Sequence, residues 1–295
     1  MSSITTVVIV NWNGGEFLKE SLEAIRQEKP AETIVLDNAS SDHSLTILSE
    51  FPEVHVIANN ANLGFGRAAN QGIQQAKSEY VFLLNVDTRL LPGSVRALEQ
   101  FLQDHPETAI VAPQLLFPDG RLQPSCRRFP TTARLFCYLS YLDRIIPSGY
   151  RLNSTQHMSE REVDQPMGAA LMLRKSTIVQ AGLFDERFFL YMEEVDLCWR
   201  LKKSGWKIHY LPQAKVLHYA GGSASKDWER SQEFFFNSVI IYFKKQGYSL
   251  LRMIMLKCSL SVALLIRSAV LRFSGQRRQS RFYRRMSGRV WSFHG

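Results

Sequence analysis

The sequence is poor in cysteine. Cys126, Cys137, Cys198 and Cys258 are widely spread over 295 residues and form no CxxC pair. A disulfide or zinc framework is therefore not expected, and a reducing compartment fits best. No secretory leader is expected either, because the opening Met1–Thr6 is mostly polar and the apolar run Val7–Val10 is only strand-length. In the apolar C-terminal stretch the longest uncharged run, Cys258 to Ile266, is nine residues, against the roughly 20 that span a bilayer. Internal repeats and low-complexity segments are lacking. A hydrophobic content of 45% with 21% charged residues excludes a disordered chain.

Acidic residues are also missing from one region. From Phe234 to the end there are twelve Lys and Arg and no Asp or Glu, while the preceding part carries 24 basic against 27 acidic residues. A mildly acidic body with a strongly basic tail points to an anionic surface as partner. The tail's apolar runs suit a bilayer better than nucleic acid, so a membrane surface is expected and no nucleic acid. The division expected is 1–246 as a catalytic domain and 247–295 as a basic, amphipathic membrane-association segment.

Short β-branched runs alternate with helical patterns in the first third. Strands are expected at Thr5–Val10, Thr33–Leu36, Val54–Ile57 and Tyr80–Leu84, with helices at Gly14–Gln27, Asp42–Glu50 and Phe65–Lys77. This order predicts βαβ units, an α/β class and a parallel sheet. Such sheets bind ligands beyond the carboxyl ends of their strands. The residues expected there, Asn11–Asn13, Asp37–Asn38, Asn59–Asn62 and Asn85–Asp87, are polar at every strand end. Further on, a hairpin is expected around Pro118-Asp119-Gly120, and Ser125–Ser159 reads as loops and a short helix. A strand is expected at Met167–Leu173, a helix at Glu193–Ser204, and strands at Lys207–Tyr210 and Lys215–His218. Helices are expected again at Trp228–Lys245 and Arg252–Phe273.

Asp87 follows an apolar strand. A magnesium or manganese ion on a diphosphate needs few protein ligands, since phosphates and water complete its shell. Asp37 is placed to bind a nucleobase or ribose, with Ser40 or Ser41 capping the next helix. His218, ahead of Gly221-Gly222, is a second candidate metal ligand at the mouth of a closing loop. Glu193, Glu194 and Asp196 put three carboxylates in four positions at a helix start. One of the glutamates would serve as general base, crowding would raise at least one pKa, and Asp196 can instead pair with Arg200. The string Gly64-Phe65-Gly66-Arg67-Ala68-Ala69 also permits a dinucleotide-binding oxidoreductase. A catalytically silent nucleotide-sugar binder is a third reading.

Val8-Ile9-Val10-Asn11-Trp12-Asn13-Gly14, Asp37-Asn38-Ala39-Ser40, Asn62-Leu63-Gly64-Phe65-Gly66, Asn85-Val86-Asp87-Thr88, Gly168–Leu173 and Phe184-Asp185-Glu186 together resemble family 2 glycosyltransferases, in the rhamnosyltransferase-like subgroup. The resemblance implies a GT-A fold, an inverting transfer from a nucleotide-diphosphate sugar, and cell-surface glycan synthesis at the cytoplasmic, inner face of the membrane. It implies a donor site of Asn11, Asn13, Asp37, Asn62, Gly64, Asn85 and Asp87, with Asp37 toward the nucleobase. Mg2+ or Mn2+ would be held by Asp87 and His218, and Glu194 becomes the implied base, with Glu193 still open. Arg121, Arg127 and Arg128 would lie near donor phosphate and an anionic lipid-linked or glycan acceptor. By likeness to the subgroup, dTDP-rhamnose is the first donor to test. Two departures stand out: Asn85-Val86-Asp87 carries a single acid where the family usually has two or Asn-Pro-Asp, and the base position here is Glu where the subgroup more often has Asp.

Overall fold

The computed structural model describes residues 3–146, 148–219 and 227–294. The chain forms two compact units, one of Met1–Arg127, Leu152–Phe189 and Glu193–Lys226, the other of Arg128–Arg151, Leu190–Met192 and Asp227–Gly295.

In the first unit the run Val7-Val8-Ile9-Val10 forms the centre of β1 (Thr5–Asn11), buried along its whole length. A strand covered on both faces needs such an unbroken apolar sequence. Strands β2 (Glu32–Asp37) and β4 (Tyr80–Asn85) flank β1 in parallel, and β3 (His55–Ala58) lies beyond β2 at the edge. The crossovers are α1 (Glu16–Glu28), α2 (Ser44–Ser49) and α3 (Phe65–Gln75). All seven elements fall within a residue or two of the expected bounds.

Past β4 the sheet becomes mixed. β10 (Ala170–Arg174) runs antiparallel between β4 and β6 (Thr108–Leu116). β11 (Lys207–His218) lies parallel to β6, and β5 (Thr88–Leu90) pairs antiparallel with it at the far edge. The order is β3-β2-β1-β4-β10-β6-β11-β5, with β8 (Arg161–Glu162) also on β11. The two strands expected at Lys207–Tyr210 and Lys215–His218 are one strand whose register shifts between Leu211 and Lys215. β7 (Cys126–Arg127) and β9 (Gln165–Pro166) make a separate two-stranded sheet. Helices α4 (Ser94–Asp104), α6 (Lys175–Gln180) and α7 (Glu193–Lys203) complete the unit.

Register positions the site. Asn11 pairs with Asp37, and Val10 with Asn85, so the polar ends of β1, β2 and β4 form one level row. On the other side His218 pairs with Thr88, which carries the histidine beside Asp87.

The second unit is helical: α5 (Thr132–Leu139), α8 (Trp228–Lys245), α9 (Leu250–Phe273) and α10 (Arg277–Arg289). Ser249 Oγ caps α9 by accepting from Arg252 N–H. Gly275, at φ 79, turns the chain back from α9 into α10.

Candidate active site

The sheet's carboxyl edge is knitted together by amides. Asn11 Nδ2 donates to Asp37 Oδ1 (2.8 Å) and to Ser40 Oγ (3.0 Å), and Asn11 Oδ1 accepts from Gly14 N–H. Asp37 Oδ2 accepts from Ser40 N–H (3.0 Å). Asp37 is only 1% exposed, and each carboxylate oxygen retains a second lone pair. Ser40 does not cap α2; its hydroxyl is taken up by Asn11 and by Asn13 N–H. Asn13 Oδ1 accepts from Ser41 and Asp42 N–H. Asn13 (φ 53) and Ala39 (φ 59) both adopt left-handed backbone in these loops, a conformation that stores strain in non-glycine residues.

A second amide web continues the row. Asn38 Nδ2 reaches Asn62 Oδ1 and Gly64 O, while its Oδ1 accepts from Asn59 Nδ2 and Leu63 N–H. Gly64 has φ 83, and a Cβ there would lie 2.5 Å from Phe189 O. Phe65 N–H donates to that same carbonyl (2.9 Å). The start of α3, where a dinucleotide pyrophosphate would sit, is therefore filled by backbone from 184–189. The glycines serve close packing, and the oxidoreductase reading is not favoured.

Asp87 and His218 are 7% and 6% exposed, with His218 Nε2 3.5 Å from Asp87 Oδ1. Gln123 Oε1 accepts from His218 Nδ1–H at 2.8 Å. That bond fixes the ring with Nε2 turned to the carboxylate. An imidazole nitrogen and a carboxylate oxygen placed this way are a donor set that suits a divalent cation. The pair would supply two ligands to a hard ion whose remaining positions go to phosphate and water. Among the described residues no group of three or more His, Cys, Asp or Glu is gathered as a metal site. The glycine loop expected after His218 lies outside the described residues.

Asn85 N–H donates to Ala169 O (2.9 Å), so β4 meets the start of β10. A Cβ on the neighbouring Gly168 would lie 3.6 Å from the Glu194 side chain. Glu194 thus stands beside the Asn85–Asp87 strand end, partly exposed. Glu193 is 5% exposed, its Oε2 has no hydrogen-bond partner among the described residues, and Gly66 lies against its side chain. Burial, reinforced by the charge of Glu194, pushes the Glu193 carboxyl well above the ordinary range. Asp196 is fully buried and pairs with Arg200 at 2.8 Å; the same guanidinium also bonds the Ala181 and Leu183 carbonyls. Asp196 is structural. Arg127 lies on β7, partly buried, whereas Arg128 is exposed and donates its N–H to Tyr150 O. Arg121 pairs with Asp119 in the hairpin turn.

His157 was not singled out by sequence. It is 0% exposed; Nδ1–H donates to Asn153 O (2.8 Å), and Nε2 accepts from Ser125 N–H (3.2 Å) and Cys126 N–H (3.0 Å). Only a neutral ring can do this, and burial holds its pKa below the usual histidine value. The unfolded chain takes up the proton first, so this stability is complete above about pH 6.5 and is lost as pH falls toward the folded pKa. His157→Gln is therefore expected to lower Tm at pH 8 and to flatten the fall in Tm between pH 7 and pH 5. Parallel acid slopes for variant and wild type would reject this role.

The Glycosyl transferase family 2 sequence family matches residues 6–165. The chain is 32% identical over 246 residues to the N-acetylglucosaminyl-diphospho-decaprenol L-rhamnosyltransferase of Mycobacterium tuberculosis, covering 77% of this chain and 80% of that one. It is 24% identical over 230 residues to the Escherichia coli rhamnosyltransferase WbbL, covering 72% and 83%. The mannosyltransferase PcManGT of Pyrobaculum calidifontis, solved with GDP-Man and Mn2+, superposes with a TM-score of 0.60 at 14% identity, covering 94% of this chain and 76% of that one. The chain belongs to glycosyl transferase family 2, on its rhamnosyltransferase-like side, and carries the GT-A fold.

Proposed function

We propose that the protein moves a sugar, with inversion, from a nucleotide-diphosphate donor to a lipid-linked or polysaccharide acceptor in cell-surface glycan synthesis. Rhamnose from dTDP-rhamnose is the first donor to test, because relatives are named rhamnosyltransferases. A polyprenyl-diphosphate acceptor follows the name of the mycobacterial relative, and it would place the enzyme at the inner face of the cell membrane.

The observation that carries the reading is the His218–Asp87 pair, 3.5 Å apart and oriented by Gln123. Asp87 and His218 would hold Mg2+ or Mn2+, which when bound supplies Lewis-acid stabilisation of the leaving diphosphate. Asp37, held by Asn11 and Ser40, faces the base or ribose, and Asn13, Asn62, Gly64 and Asn85 shape the remaining donor cradle. Glu194 takes the proton from the acceptor hydroxyl as its oxygen attacks the anomeric carbon from the side opposite the diphosphate. Arg127 and Arg128 are the candidates for phosphate or acceptor charge.

The test is purified protein with a panel of nucleotide sugars, reading release of nucleoside diphosphate with and without Mg2+ or Mn2+. Metal-stimulated hydrolysis of one donor, with dTDP-rhamnose first, is expected. Tight donor binding with no turnover under any metal would establish the silent binder instead.

A further inference from the structure

Helix α9 is apolar on two sides. Leu256, Leu260, Leu264 and Leu271 are buried, while Leu251, Met255, Val262, Leu265 and Phe273 are exposed. One face is covered within its own unit. Ser268 Oγ donates to Ser280 O and Ser261 Oγ to Ser287 O on α10, and Arg267 reaches Leu139 O at the end of α5 and stacks on Tyr141 and Tyr283. The other face is an uncharged row along the helix, with Arg252 and Arg272 to either side. An apolar row of this length on a protein surface marks an interaction site.

Helix α10 carries six arginines in two stripes. Arg278 and Arg285 pair with Glu229, and Arg289 with Glu233. Arg277, Arg281 and Arg284, at i, i+4 and i+7, are exposed and make no ion pair among the described residues. At 3.6 residues per turn, the exposed row of α9 lies about 100° to one side of its Ser261–Ser268 contact line. The Arg277 stripe lies roughly 70° from the Ser280–Ser287 line of α10, on the side opposite buried Phe282, Tyr283 and Met286. The helices are antiparallel and bury their remaining sides in the same unit, so row and stripe face the same way.

We infer that this composite face, the α9 row with Arg277, Arg281 and Arg284, docks the protein flat on an anionic lipid bilayer. This deepens the reading of a membrane-borne acceptor by naming the surface. Charge complementarity selects the partner, since no acid follows Glu233 and headgroup phosphates attract just such a stripe. α9 is long and apolar enough to cross a membrane, but its opposite face is committed to α5 and α10, so it lies in the interface plane.

Full-length protein is sedimented with phosphatidylcholine vesicles, with and without phosphatidylglycerol. Binding is expected to require phosphatidylglycerol. Arg277→Gln/Arg281→Gln/Arg284→Gln should weaken it roughly 100-fold, from about one headgroup contact per arginine. Arg278→Gln/Arg285→Gln/Arg289→Gln, with the same loss of charge, should weaken it less than about fivefold, because those cations are already paired. Val262→Ser/Leu265→Ser should cost roughly tenfold or more by removing inserted apolar area. Thermal unfolding and soluble donor hydrolysis should match wild type in all three. Equal losses from the two arginine triples would overturn the assignment, as would wild type that ignores anionic vesicles but binds single-stranded RNA. Vesicle binding without any donor turnover in wild type would instead overturn the proposed reaction and leave the docking face standing.

Discussion

Asp87→Ala is expected to reduce transfer by roughly 10²–10⁴-fold, the equivalent of several kcal/mol of charge stabilisation on the leaving diphosphate. Asp87 is the one carboxylate of the Asn85-Val86-Asp87 motif, so no neighbouring acid in that motif can replace it. His218→Ala should cost less, because phosphate and water oxygens can fill the vacated position. The more discriminating variant is Gln123→Leu. Gln123 touches only the far nitrogen of the His218 ring, yet it fixes which nitrogen carries the proton. Loss of such a partner costs about 10–100-fold in metal affinity. The Mg2+ or Mn2+ concentration for half-maximal activity should therefore rise in Gln123→Leu, while the rate at saturating metal recovers. Asp87→Ala should not recover at any metal concentration. Full activity of Asp87→Ala at limiting metal would remove the Asp87–His218 pair from the mechanism.

What could be read from sequence, and what could not, follows the range of the interactions. The ends of β1, β2 and β4 were legible because each strand is a β-branched run that stops at a polar residue, and parallel pairing brings those stops level. The pairing of Asp196 with Arg200 was legible as an i,i+4 spacing. Gln123 and His157 were not. Their partners lie 95 residues away in His218 and 32 residues away in Ser125, and no local pattern announces such a contact. β6 was hidden by Pro113, a residue that normally argues against an inner strand. α9 was legible as a helix in a basic, amphipathic segment. The same sequence could not show that its opposite face is equally apolar for a different reason, namely packing on α5 and α10. Nor could it separate the arginines of α10 into a paired and an open stripe, because Glu229 and Glu233 are a long way back in the chain.

Glu194→Gln is expected to lower turnover by about 10²-fold or more with little change in donor binding, since it keeps the side chain's shape and removes its proton affinity. Glu193→Gln is expected to leave turnover within a few-fold. The two glutamates are adjacent in sequence but differ in setting. Glu193 is buried against Gly66 with a carboxyl held well above its ordinary pKa, so the charged form that would accept a proton from the acceptor hydroxyl is disfavoured there. Glu194 is partly exposed beside Gly168, next to the strand end that carries Asp87. Stability offers a second, independent readout. A carboxyl whose pKa is raised by folding stays protonated in the native state after the unfolded chain has released its proton. Native stability then falls as pH rises above the ordinary glutamate range toward the folded pKa. Glu193→Gln abolishes that loss, so its Tm should gain on wild type as pH rises above the ordinary glutamate range. If Glu193→Gln is the variant that stops turnover and Glu194→Gln is mild, the base is the buried residue, and it must be deprotonated by donor binding before it can act.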